Sequence, residues 1–349
     1  MCKSTACLFA LCAVFAAPAR ADDVADFYRG RQIQLIIGYG PGGGYDLNAR
    51  VLARHLGAFI PGNPAIIVQN MPGAGSLRAA NHVQSVAPRD GTVIAALDRQ
   101  APLYAVLGGN PAIKFTAADM NFLGTVSSYA DDAFVMWVRK DAAAKTLDDL
   151  LRPGGPGVKV GGSAAGSTDD TTVMILRDVT GLRLELITGY LDGNAIALAL
   201  ERGEVEARLA GVSAIASTHP SWLKPDGLVR PFLQAGRATR LPSLPDLPTA
   251  RELARDARGR AIIEAMELPY QLARPFVMPP GVPAERQAAL RAAFMAAVNS
   301  PAYREEAARL NLDVSPVEGA QVGRLVADMG KASPEALAFL KKLLVAESQ

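Results

Sequence analysis

Four short glycine- or serine-rich turns carry most of the chemistry legible in this chain: residues 40–44, 72–76, 161–168 and 189–194. Each follows a β-rich run and opens a helical one. The first N–H groups of a helix have no partner within it, and together they carry about half a positive charge. Glycine lets a ligand come close to the backbone. Such a turn therefore holds an anion without help from lysine or arginine. Any one of them is also ordinary βα turn chemistry. Four, divided evenly between two halves of the chain, point to a ligand held outside the carboxyl ends of two sheets.

Other chemistries find little support. Gly38-Tyr39-Gly40-Pro41-Gly42-Gly43 has the G-x-G-x-x-G spacing of a dinucleotide turn, but the next strand ends in Gln69-Asn70 rather than an acid for the ribose. No Lys-Ser or Lys-Thr follows the glycines, so a phosphate-binding P-loop is absent. Gly162-Ser163-Ala164-Ala165-Gly166 is one residue too long for a nucleophile elbow. His55, His82 and His219 have no metal-ligand spacing among them. Asp169-Asp170 suits the start of a helix, and Glu201, Glu204 and Glu206 read as solvated turn charges. Arg208, in an expected strand, would grip a carboxylate if it faced the mouth; an edge position reads equally well. We expect no enzyme, no metal and no cofactor.

These turns need strands and helices to place them. Residues 33–37, 66–68 and 93–97 read as strands, interleaved with helices over about 44–56 and 76–86. The form repeats with strands at 122–126, 134–138, 158–160, 184–187, 205–209 and 228–233. Helices are expected at 147–151, capped by Thr146, at about 169–179 and from about 194 to 201. A proline-rich connection at Pro242, Pro245 and Pro248 leads into a helical C-terminal region. The expectation is two doubly wound, largely parallel α/β lobes joined by a hinge: residues 22–126 with 246–349, and 127–245.

The 349 residues suit two such units. Residues 1–21 read as an export signal: Lys3, an apolar run over 8–17, then Ala19-Arg20-Ala21 before a cut. Cys12 follows bulky Leu11 and Cys7 precedes the apolar run, which argues against a lipid anchor. Cys2, Cys7 and Cys12 are the three cysteines, so the mature chain has no thiol. Removing Lys3 and Arg20 lowers Lys+Arg from 36 to 34 against 34 Asp+Glu, a net charge of zero. A neutral chain has no general field for nucleic acid.

Several motifs in order resemble one family, the solute receptors of the tripartite tricarboxylate transporters, often called Bug proteins. They are Tyr28-Arg29-Gly30-Arg31, Gly40-Pro41-Gly42-Gly43-Gly44-Tyr45-Asp46, Gln69-Asn70-Met71-Pro72-Gly73-Ala74-Gly75-Ser76, Ala87-Pro88-Arg89-Asp90-Gly91-Thr92, Leu244-Pro245-Asp246-Leu247-Pro248-Thr249 and Met278-Pro279-Pro280-Gly281-Val282-Pro283. The resemblance covers residues 27–346. It implies a type II periplasmic binding-protein fold, a monomer that binds a small organic carboxylate and docks on membrane permease subunits. It implies ligand contacts from Gly42, Gly43, Gly44, Tyr45, Asp46, Ala74, Gly75 and Ser76 in one lobe. Ser163, Gly166, Ser167, Thr168 and Tyr190 would close from the other. The chain departs from the family's pattern at Tyr45, Met71, Leu191-Asp192 and near Ala199, all at or beside the implied pocket. From residues alone, a nicotinamide oxidoreductase, a hydrolase and an exported sensory adaptor remain alternatives.

Overall fold

The computed structural model describes residues 21–346. Nearly all of the expected export signal lies outside them. Among the described residues, no helix is long and apolar enough to cross a membrane.

Among the described residues, eleven strands form two sheets. In chain order they are β1 (Gln32–Ile37), β2 (Ala65–Asn70), β3 (Val93–Ala96), β4 (Asn121–Thr125), β5 (Phe134–Arg139), β6 (Val158–Gly161), β7 (Leu184–Ile187), β8 (Ala207–Gly211), β9 (Val229–Ala235), β10 (Pro275–Met278) and β11 (Val317–Glu318). The first sheet has the order β11-β4-β10-β3-β1-β2, the second β7-β6-β8-β5-β9. The chain crosses between them twice, over residues 126–133 and 236–274.

Both sheets are mixed, which corrects the expectation of largely parallel ones. β1 pairs in parallel with β2 and β3, but β10 runs antiparallel between β3 and β4. In the second sheet β6 is parallel to β7 and β8, whereas β5 is antiparallel to β8 and β9. The reason is connectivity. Each sheet receives one strand directly from the other lobe, and that strand enters from the opposite end. The four-residue β10 was not expected.

Alternation along β1 shows how the layers form. Ile33, Leu35 and Ile37 face one way, onto Leu52, Leu56, Phe276, Phe294 and Tyr303. Ile36 faces the other way, into a cluster that contains Ala95, Leu97 and Leu103. That second cluster is continuous from the first sheet to the second. It passes through Tyr104, Met136, Val173, Leu176, Ile262, Met266, Tyr270 and Leu340. The helix Ala257–Glu267 packs on both Thr168–Thr180 and the last helix, Pro334–Ala346. Thr146 caps Leu147–Leu151 through Asp149 N, as its position before the helix leads one to expect.

Candidate functional site

The four turns meet in pairs across the junction of the two lobes. Residues 40–43 lie against 192–194. A Cβ on Gly42 would stand 2.6 Å from Asn194 Nδ2, and one on Gly43 would stand 3.9 Å from Gly193 N. The turn containing Gly75 lies against the one containing Gly166 and Ser167. Gly75 has φ +56°, and a Cβ there would stand 2.7 Å from Ser167 N. At Gly75 glycine is required by the approach of a second backbone as well as by its φ, and at Gly42 by a φ of +88°.

Between the turns lies a cavity of about 90 Å³. Its wall includes Gly43, Gly44 and Tyr45 from one lobe and Ser163, Thr168 and Gly193 from the other. Three arginines join them: Arg99, Arg208 and Arg274. All are buried.

Arg208 stands on β8, which lies between β6 and β5, so it is central and not at an edge. It is 7% exposed and makes no hydrogen bond or ion pair to any described residue; its Nε is buried without a partner. Burial pulls its pKa down to about 10, against the opposing pull of Asp169 and Asp192. Arg99 follows β3 and sits among rings. Its guanidinium lies 4.7 Å from the Tyr129 centroid, 5.1 Å from Tyr270, 5.5 Å from Phe134 and 5.8 Å from Tyr45. Those faces replace part of its lost hydration. Arg274 precedes β10 and donates from Nη1 to Ser127 Oγ at 2.7 Å.

Three aspartates share the wall, and each is already engaged. Asp98 accepts from the Tyr39 hydroxyl at 2.7 Å, Gln100 N at 2.7 Å and Thr168 Oγ1 at 2.9 Å. Burial pushes its carboxyl above the ordinary range, while Arg99 and the Tyr39 bond pull it back. Asp169 accepts from Ser163 N at 3.1 Å and Oγ at 2.6 Å. Asp192 accepts from Asn194 N and Ala195 N at 2.9 and 3.0 Å, capping the helix Gly193–Arg202.

The four helix N-termini are therefore not equivalent. Ser167 caps Thr168–Thr180 and Asp192 caps Gly193–Arg202 with their own side chains. Gly44–Leu56 has no side-chain cap at Gly43, and its first residues line the cavity. Leu77–Ser85 also lacks a side-chain cap, but it opens elsewhere. One uncapped helix start and three arginines thus line the same cavity.

The other residues expected from the sequence are placed as follows. Gly42 N donates to Asp46 Oδ2 at 2.9 Å. Arg50 Nε and Asn70 Nδ2 also bond that carboxylate, which holds it below the usual range; it is absent from the cavity wall. Gly166 packs on Tyr104. Ala74, Gly75, Ser76 and Tyr190 line a second interlobe gap, which shares Tyr39 and Ser163 with the first. Sequence reasoning missed Tyr39, Asp98, Arg99, Tyr129, Phe134 and Arg274 as wall residues. Asp98-Arg99 had an available signal, since the pair directly follows a strand on the carboxyl side where α/β ligands sit. Arg274 had none, because β10 went unrecognised.

One helix of the second lobe fastens the junction. Along Thr168–Thr180, Thr168 reaches Asp98, Thr171 reaches the Tyr104 hydroxyl at 3.2 Å, and Thr172 reaches the Tyr270 hydroxyl at 2.7 Å.

Two α/β lobes meeting on a polar cavity have the fold of a binding protein of the periplasmic type. Solved structures agree on that fold. The periplasmic binding protein BugD superposes with a TM-score of 0.71 at 19% identity, covering 91% of this chain and 99% of its own. MatC from Rhodopseudomonas palustris, solved with malate, gives 0.66 at 20% identity, covering 90% and 99%. An R. palustris protein solved with adipate gives 0.68 at 20%, covering 90% and 98%. In sequence, a Cupriavidus necator protein described as a UPF0065 protein in the gbd 5′ region is 28% identical over 96% of this chain and 93% of its own. The model of the tripartite tricarboxylate transporter family receptor matches residues 49–338, and the chain belongs to that family.

Proposed function

We propose that this receptor is exported to the periplasm, closes its two lobes on a small organic carboxylate and delivers it to the permease subunits of a tripartite transporter. One lobe comprises residues 22–126 with 246–349, the other 127–245. The reading rests chiefly on Arg208. An unpaired guanidinium buried in an interlobe cavity is costly, and a carboxylate meets it with two parallel bonds. The uncapped start of Gly44–Leu56 faces the same cavity and adds backbone donors for a second set of ligand oxygens. Malate and adipate in the R. palustris relatives belong to the same ligand class.

The ligand shifts the lobes toward closure only through contacts it makes in the closed form. Thermal-shift measurements on the mature chain with mono-, di- and tricarboxylates test the reading. Stabilisation by one or more acids, lost in Arg208→Met, is the expected result. A folded protein indifferent to every acid in the panel would remove the carboxylate assignment.

A further inference from the structure

Building on the reading of a receptor that closes, we infer that its lobes turn about two strained residues at the cavity wall, Tyr129 and Ala273, one in each crossover. In the first crossover the hydrogen bonds change lobe between consecutive residues. Ser128 N donates to Ser315 Oγ at 2.9 Å, and Ser127 Oγ accepts from Arg274 Nη1 at 2.7 Å, both partners in the first lobe. From Tyr129 onward the partners belong to the second lobe. Arg237, two residues beyond β9, donates from Nη1 to Tyr129 O, Ala130 O and Asp132 O at 2.9, 2.9 and 2.8 Å. The Asp132 carboxylate accepts from Ser213 N at 3.2 Å, and Ala133 O accepts from Val212 N at 3.1 Å. Peptide planes are stiff, so the soft angles left between the two sets of bonds are those of Ser128 and Tyr129.

Tyr129 has φ +56°, the left-handed region, where a side chain is strained and glycine is not. Such strain persists only where surrounding contacts impose it, and it gathers at switch regions. Ala273 matches it in the second crossover, with φ +30° and ψ −66°. It directly precedes Arg274, whose N donates to Thr125 Oγ1 at 3.1 Å in the first lobe. Both residues reach the cavity wall. The Tyr129 ring lines the cavity, 4.7 Å from the Arg99 guanidinium and edge-on to Tyr270 at 5.7 Å. The Tyr45 hydroxyl lies 3.2 Å from Ala273 O, and equally from Asp98 Oδ2, Arg99 N and Arg99 Nε. A ligand that bears on Tyr45, Arg99 or the Tyr129 ring therefore bears on the pivots. The positive φ angles belong to the form with the lobes together, and the open form relaxes them.

Tyr129→Ala and Tyr129→Gly both lack the ring, and only the alanine keeps the strain. Ala273→Gly against the wild type makes the same comparison with the ring in place. Titration calorimetry on the mature chain with malonate, succinate, malate and adipate reads both. In each comparison the glycine form should bind acid about threefold or more tighter. Without ligand, it should also have the smaller radius of gyration by small-angle scattering. Equal or weaker binding by the glycine form, even with greater resistance to urea, would mean the strain is not tied to closure. That residue is then no pivot, and the receptor reading stands. If no acid binds the folded wild type, the carboxylate reading falls. The ligand-free radii then decide the pivots, and equal radii overturn them.

Discussion

A buried arginine without a partner weakens the protein that carries it. For Arg208, the fall in pKa from 12.5 to about 10 corresponds to about 3 kcal/mol against the charged folded form at neutral pH. A thioether chain of similar length has no charge to desolvate. Arg208→Met is therefore expected to raise the stability of the ligand-free protein by about 1–3 kcal/mol, read as a higher urea midpoint with unchanged slope. The same substitution should abolish the response to acids. A variant that lost stability instead would show that Arg208 holds the lobe together rather than waiting for a ligand. The sequence offered Arg208 as a strand arginine of undecided direction, because only strand order puts β8 in the middle of its sheet. Tyr45 was visible as a departure from the family's pattern, but its four hydroxyl neighbours come from residues 98, 99 and 273. No local pattern joins those.

At the scale of elements, the helix Thr168–Thr180 combines a cap, three interlobe bonds and a buried acid. The Asp170 carboxyl is pushed up to about 6 by burial, then by neighbouring Asp169. A carboxyl whose folded pKa lies above its unfolded one contributes stability in full below about 4 and loses it as pH rises through 6. The wild type should thus shed about 2–3 kcal/mol from this group between pH 4 and pH 7. Asp170→Asn should show a flatter profile, and urea denaturation at half-unit pH steps measures it. Identical profiles would mean that the helix start, with Ser167 and Thr188 bonding the carboxylate, offsets the burial. Helices with periodic apolar positions, such as Gly44–Leu56 and Thr168–Thr180, were legible to within a residue or two. The helix Gln100–Leu107 was not expected; it is apolar nearly all round, with Leu103, Tyr104 and Leu107 all buried, so periodicity had little to report.

For the whole molecule, closure depends on the paired glycine turns. A methyl on Gly75 would meet Ser167 N at 2.7 Å with the lobes together, and its φ of +56° adds strain. Gly75→Ala should hold the lobes apart. Small-angle scattering should then show a larger radius of gyration with saturating ligand than the wild type shows, and affinity should fall. A variant as compact as the wild type would mean the turns yield rather than block. The two-lobed plan was legible because alternating strands and helices repeat with similar turns. The mixed sheets were not, since pairing direction is decided by where a strand arrives from.

The place of β10 has a bearing on how such a chain is made. β3 and β4 are synthesised early, yet the strand that must lie between them is Pro275–Met278. Until that segment emerges, the first sheet has a missing middle and no complete core. The continuous apolar cluster also needs Ile262, Met266 and Leu340 before either lobe is sealed. Contacts between such distant residues form slowly. The first sheet therefore completes only after residues 275–278 have joined it, a slow step for the separation it must close.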